Sequence, residues 1–171
     1  ANWDKQLVMS ETFGAMGNIP VRELYTIAME QYTKGINQLI PHAVWYNDAD
    51  VTFLPELSYR NLLYNEALPA FNRFLARLNY LLQPEGRTVA DIAMLYPIET
   101  LQAGHYLDGP EGYYAGGVKL PGTDYIRVAA MLSDTLARDF TYLHPEVLAR
   151  CPAGRGMLHL DNKVNHQHYR V

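Results

Sequence analysis

The sequence predicts a mixed α/β fold arranged as two successive units. Short apolar stretches rich in β-forming residues alternate with segments of helical spacing. A Pro-Glu-Gly-Arg turn at residues 84–87 separates one such alternation from the next. The 171 residues are 49% hydrophobic and 19% charged, a composition typical of globular proteins and not of disordered chains. We therefore expect one domain over residues 1–83 and a second over residues 84–171.

The first unit is predicted to begin with a strand, a helix and a second strand. Residues 6–10 are typical of a short buried strand, and the loop that follows contains two glycines suited to a tight turn. A helix is predicted over residues 20–34, where Pro20 suits the first turn and Gly35 ends the helical spacing. Residues 36–45 favour a strand covered on both faces. We expect the two strands to be parallel neighbours joined by this helix.

A loop and a longer helix are predicted to complete the first unit. Residues 48–57 lack a clear period and include Pro55, which indicates a loop. The apolar positions between residues 58 and 83 mark an amphipathic helix. Pro69 lies within that segment and predicts a kink or a break, because proline removes a backbone donor from the helix interior.

The second unit is also predicted to alternate strands with helices. Residues 89–97 are apolar enough for a buried strand, and the glycine-rich residues 104–122 predict a long loop. Asp124 can cap a helix that ends near Phe140. Shorter strands or strand ends are predicted at residues 147–148, 157–160 and 169–171.

Charge and composition limit the classes of partner. The net charge is −4 and the 14 lysines and arginines are scattered, whereas nucleic-acid-binding domains usually carry a basic stripe. No apolar run approaches the roughly 18 residues that a membrane span needs, and there is no polybasic tract. Cys151 is the only cysteine, which excludes an internal disulfide and a thiolate-clustered zinc site but leaves the compartment open. We expect neither nucleic acid nor a membrane as a partner.

Polar and aromatic side chains follow the two predicted strands of the first unit. Glu11 comes directly after the first strand, and the second ends in His42, Trp45, Tyr46 and Asn47. Because parallel strands share one carboxyl edge, these side chains are expected to open onto the same face. A carboxylate, an imidazole, aromatic rings and an amide together suit the binding and cleavage of a sugar. The alternative is that Glu11 is an ordinary loop residue and that the histidine and the aromatic residues pack in the core.

Other motifs carry weaker signals. Near the end of the chain, three histidines and an aspartate have the composition of a metal site, but a His-x-His pair is a weak pattern and we predict no metal ligand there. These residues are His159, Asp161, His166 and His168. Ser10 lacks the Gly-x-Ser-x-Gly elbow of a serine hydrolase, so that class is not predicted.

Three blocks of the sequence are distinctive: SETFGAMG at residues 10–17, KGINQLIPH at residues 34–42 and MLYPIET at residues 94–100. Together they resemble the large bacterial α-L-rhamnosidase-type glycoside hydrolases. The first two blocks, which are the more specific, resemble the last strands of the (β/α)8 catalytic barrel of that family. The third resembles the opening strand of the flavodoxin-like, β-galactosidase-trimerisation-like α/β domain that follows the barrel.

The resemblance implies a catalytic carboxylate at Glu11 and a sugar pocket lined by His42. The family is associated with inverting cleavage by single displacement, and some members bind calcium in the site; no other cofactor is implied. Inversion needs two carboxyl groups roughly 6.5–9.5 Å apart, and the second would lie in barrel strands outside this chain. We therefore expect an inactive piece of a periplasmic or secreted enzyme that removes α-linked deoxysugars, such as L-rhamnose, from oligosaccharides or polysaccharides.

An alternative from another functional class is a flavodoxin-like structural or oligomerisation module without chemistry. An opened barrel leaves unpaired strand edges and uncovered apolar surface, which proteins usually cover. The excised piece is therefore expected to self-associate as a homo-oligomer through those strands, or to rearrange.

Overall fold

The computed structural model describes residues 3–47, 49–83, 89–103, 123–162 and 166–170. They form a mixed α/β structure with small sheets, so the predicted class is confirmed at that level. The chain divides into two compact units: the first unit is Lys5–Arg87, and the second unit is Thr88–Val171 together with Ala1–Asp4. Among the helices of the described ranges, none is long and apolar enough to cross a bilayer.

The first unit contains a parallel two-stranded sheet and two helices. Its elements are β1 (Met9–Thr12), α1 (Val21–Thr33), β2 (Gln38–Pro41) and α2 (Leu68–Leu82). β1 pairs with β2 in parallel, with Glu11 beside Ile40, so the predicted parallel arrangement is confirmed. α1 lies within one residue of its predicted bounds at each end, because Pro20 and Gly35 set both limits locally.

β1 is shifted along the chain relative to the predicted residues 6–10, and β2 is shorter than the predicted residues 36–45. β1 begins at Met9 because the Asn37 side chain bonds to the backbone just before it: the Val8 N–H donates to Asn37 Oδ1 at 2.8 Å, and Asn37 Nδ2 donates to the Gln6 carbonyl at 2.7 Å. β2 ends at Pro41, whose ring nitrogen cannot donate to a sheet ladder. β2 therefore covers only the middle of residues 36–45.

The two faces of the β1–β2 sheet have different environments. One face presents Leu39 and Thr12 to the core of the unit, and both residues are buried. The opposite face leaves Met9, Glu11 and Ile40 exposed, because alternate residues of a strand point to opposite sides. The core consists of Phe13, Ile19, Leu24, Ala28, Tyr32, Leu39, Leu57, Tyr64, Phe71 and Leu75. The sheet is thus covered by the core on one side only.

The predicted helix over residues 58–83 is wrong in its first third. α2 begins only at Leu68, and residues 58–67 form turns. Pro69 falls in the first helical turn, where its missing N–H has no intrahelical partner to lose, so it starts the helix and does not kink it. Tyr64 anchors the preceding turns, because it is fully buried and its hydroxyl donates to the Ile19 carbonyl at 2.8 Å.

The second unit combines a parallel pair of strands with a small antiparallel sheet. Its elements are β3 (Ile92–Leu95), α3 (Ile98–Ala103), α4 (Tyr125–Ala130), a π-helical turn (Met131–Thr135), β4 (Phe140–Leu143), α5 (Pro145–Leu148), β5 (Ala153–Gly154), β6 (Met157–Asp161) and β7 (His166–Tyr169). Strands β3 and β4 pair in parallel, and strands β5, β6 and β7 follow one another in the antiparallel sheet.

Several predictions for the second unit need correction. Residues 147–148 lie in α5 and not in a strand, because Pro145 favours a first helical turn and His144 Nδ1 accepts the Glu146 N–H at 3.2 Å. The helix expected up to Phe140 ends at Thr135, and Phe140 instead begins β4. The strand at residues 157–160 is confirmed as β6. The loop predicted at residues 104–122 lies outside the described residues.

Candidate functional site

Glu11 and His42 meet where β1 and β2 end. Glu11 is the third of the four residues of β1, and not the residue after the strand as predicted, because β1 continues to Thr12. His42 directly follows β2, and its backbone N–H donates to the Thr12 carbonyl at 2.8 Å. The Nδ1 atom of His42 lies 2.9 Å from Oε1 of Glu11. The two strands therefore bring together the two residues that the sequence marked most strongly.

The contact defines which nitrogen of His42 carries a proton. An ionised carboxylate only accepts hydrogen bonds, so Nδ1–H donates to Glu11 and Nε2 carries the lone pair when the ring is neutral. The Glu11 side chain is 69% exposed, whereas the His42 side chain is only 20% exposed. Within the described ranges, the buried Nε2 atom has no hydrogen-bond partner. The imidazole is thus held by one nitrogen, while the other is buried without a partner.

Trp45 packs beside the Glu11–His42 pair, and residues that follow it in the chain support its position. The Trp45 ring packs edge-on against His42 with centroids 5.7 Å apart, and the Phe53 ring centroid lies 6.3 Å from that of Trp45. The Trp45 carbonyl accepts a hydrogen bond from Arg60 at 2.6 Å, and Arg60 is paired with buried Glu56. This ion pair therefore fixes the backbone of the residue that contacts the histidine.

Sequence reasoning did not identify the residues that support Trp45. Glu56 and Arg60 are four positions apart, a spacing typical of a charge pair, and that signal could have indicated them. Phe53 carried no comparable signal, because its contact with Trp45 depends on backbone bonds between residues far apart in the chain. The Leu57 N–H donates to the Ala43 carbonyl at 2.9 Å, and the Gly17 N–H donates to the Leu54 carbonyl at 3.0 Å.

Tyr46 and Asn47 do not join the cluster in this structure. Tyr46 is fully exposed. Asn47 is exposed as well, and its Oδ1 accepts the Ala49 N–H at 2.8 Å. The structure therefore groups Glu11, His42 and Trp45, and it leaves the other two predicted residues on the surface beyond them.

Gly14 lies beside the His42 ring, and its lack of a side chain leaves room for that ring. A Cβ atom added at Gly14 would lie 3.4 Å from Cγ of His42, an ordinary contact distance. We expect Gly14→Ala to preserve the bond between His42 and Glu11, and Gly14→Val to break it, because the two stiff branches of valine extend about 1.5 Å further. Imidazole ¹⁵N NMR of both variants measures the tautomer of His42. An unchanged His42 signal in a folded Gly14→Val variant would contradict this packing.

The second unit contains a cavity of about 470 Å³, and Cys151 and His159 are among its lining residues. Burial is the main cause that raises the pKa of the Cys151 thiol, which disfavours the nucleophilic thiolate. In the described part of the chain, no group of three or more His, Cys, Asp or Glu side chains is arranged to hold a metal ion. The cluster around Glu11 is therefore the better candidate for chemistry.

Comparison with known proteins adds no assignment. No protein-family model matches the chain, and no curated protein matches it either. The motifs of the sequence and the geometry of Glu11 and His42 are therefore what indicates a function.

Proposed function

We propose that this chain is part of a glycoside hydrolase of the α-L-rhamnosidase type and that Glu11 is one of its two catalytic carboxyl groups. The observation that carries the proposal is the 2.9 Å contact between Glu11 and His42 at the ends of two adjacent parallel strands. In parallel α/β architectures, catalytic groups collect at this edge of the sheet. The three sequence blocks that resemble the family support the same assignment.

The uneven covering of the β1–β2 sheet supports a barrel origin. In a (β/α)8 barrel, helices cover the outer face of each strand and side chains of the inner face fill the interior. Here the core that includes α1 covers one face, while Met9, Glu11 and Ile40 are exposed on the other. We propose that this second face lines the barrel interior in the complete enzyme, and that the parallel β3–β4 pair begins the flavodoxin-like domain.

Each residue of the cluster has a role that suits its surroundings. Glu11 is exposed enough to reach a glycosidic oxygen or a water molecule, as a general acid or base. His42 orients the carboxylate through Nδ1–H. The Trp45 ring supplies an apolar surface for the C–H face of a sugar. In an inverting mechanism the second carboxyl group would come from barrel strands outside this chain.

The proposal is tested by assaying the full-length protein that contains this chain on 4-nitrophenyl α-L-rhamnoside. We expect hydrolysis by the full-length protein, none by residues 1–171 alone, and initial release of the inverted anomer by ¹H NMR. Isolated β1 and β2 cannot enclose a substrate, which is why the short chain should be inactive. A folded full-length protein that hydrolyses no aryl α-glycoside would contradict the proposal.

The alternative is a structural or oligomerisation module. It is favoured by the exposed apolar residues Met9 and Ile40 on the β1–β2 sheet, which a second copy could cover. An inactive full-length protein that forms a stable oligomer would support this alternative. Activity on the rhamnoside would support the hydrolase instead.

A further inference from the structure

The hairpin of β6 and β7 places four side chains that can bind metals or protons on one face. Cross-strand neighbours in an antiparallel pair share a face, and alternate residues point to opposite faces. Leu160, Gln167 and Tyr169 are buried on the inner face. The outer face carries two register pairs, His159 with His168 and Asp161 with His166.

In the pair of His159 and His168, the Nδ1 atoms of the two imidazole rings face each other. The Nδ1 atoms of His159 and His168 are 2.8 Å apart. The other nitrogen of His159, Nε2, lies 3.1 Å from the Gly154 carbonyl, which can only accept, so this nitrogen carries a proton. Neutral His159 therefore directs the lone pair of Nδ1 at His168. A proton or a cation must lie between the two rings.

We propose that His159 and His168 form a two-histidine site for a divalent transition-metal ion of the zinc, nickel and copper class. Imidazole nitrogen is a preferred ligand of these ions. At a metal–nitrogen distance of about 2.0–2.1 Å, two nitrogens of a tetrahedral site lie roughly 3.3 Å apart. The observed pair therefore needs to open by only about half an ångström, which the exposed His168 side chain can provide by rotating.

The surroundings of the pair have two features of a metal site. Ligating histidines usually donate their second N–H to a backbone carbonyl or a carboxylate, as His159 does to Gly154. Asp161 is exposed on the same face two residues further along β6, where its negative charge favours a bound cation. Arg150 lines the same cavity as His159 and Asp161, and its positive charge opposes the cation. The remaining coordination positions are left to water.

Zinc chloride titrated into the chelator-treated chain tests the site by calorimetry and by imidazole ¹⁵N NMR. We expect one equivalent of Zn²⁺ to bind and to shift the Nδ1 signals of His159 and His168 together. His168→Ala removes an exposed ligand, so the fold should persist while zinc affinity falls at least about tenfold. His159→Ala should do the same, but it also removes the bond to Gly154.

His42→Ala is the matched control, because the His42 ring contacts Glu11 and Trp45 in the first unit. It should leave zinc stoichiometry and affinity unchanged. Circular dichroism checks that each variant is folded. Zinc affinity unchanged in folded His168→Ala, or the absence of zinc-dependent shifts at both Nδ1 atoms, would overturn the proposal. The contact would then be a shared proton only.

Discussion

Glu11→Gln is expected to lower kcat by about 10²–10⁴-fold in the full-length protein assayed on an aryl α-L-rhamnoside, the usual range for a lost general acid or base. Glutamine keeps the shape of the side chain, and its amide oxygen can still accept from His42 Nδ1–H. It cannot ionise or transfer a proton. Substrate binding should therefore persist while turnover falls, which separate measurement of KM and kcat would show.

Glu30→Gln is the control for this substitution. Glu30 is a similarly exposed glutamate of the same unit, and like Glu11 it pairs with a basic side chain, here Lys34, the residue that follows α1. Its removal should leave kcat within about twofold of the parent, because an exposed pair contributes little. A folded Glu11→Gln enzyme with near-normal kcat would show that Glu11 is a structural residue and that the catalytic site lies elsewhere.

Glu56→Gln is expected to reduce the free energy of unfolding of the first unit by about 3 kcal/mol, the lower end of the range for breaking a buried ion pair. The Glu56 side chain is 6% exposed and that of its partner Arg60 is 23% exposed. The substitution takes a charged partner away from a largely buried guanidinium. Because the Arg60 guanidinium also donates to the Trp45 carbonyl, the position of Trp45 should become less well fixed as well.

Urea unfolding followed by far-UV circular dichroism measures this loss in residues 1–171. Glu30→Gln again serves as the control, because its exposed pair with Lys34 should contribute below about 1 kcal/mol. The chain has two tryptophans, Trp3 and Trp45, so tryptophan fluorescence in urea-free buffer is measured in a Trp3→Phe background, where it reports on Trp45 alone. Equal unfolding midpoints for Glu56→Gln and Glu30→Gln would contradict a stabilising role for the buried pair.

Local chemistry accounts for what could be predicted from the sequence. α1 was predicted within one residue at each end, because Pro20 and Gly35 act on their immediate neighbours. The parallel pairing of β1 and β2 followed from two β-rich segments separated by one helix, a connection that favours parallel neighbours. Glu11 and His42 were singled out because each stands at the end of such a segment. These predictions need no knowledge of distant contacts.

Where an element depends on contacts between residues that are distant in the chain, the prediction from the sequence was wrong or incomplete. β1 starts at Met9 because the backbone N–H of Val8, the residue before it, donates to the Asn37 side chain 29 positions later in the chain. β4 was missed since its strand state depends on pairing with β3 across the unit. α5 was predicted as a strand because Val147 favours strands by type and Leu148 is apolar, whereas Pro145 and the His144 cap determine the helix.

The sequence by itself determined the α/β class, the first helix and the residue types available for chemistry, because these depend on composition and on neighbours within a few positions. Only the tertiary structure decided which of those residues meet. It brought His42 to Glu11 and Trp45, left Tyr46 in solvent and turned His159 toward His168. The physical reason is that strand register and loop path fix side-chain distances, and both are set by hydrogen bonds between residues far apart in the chain.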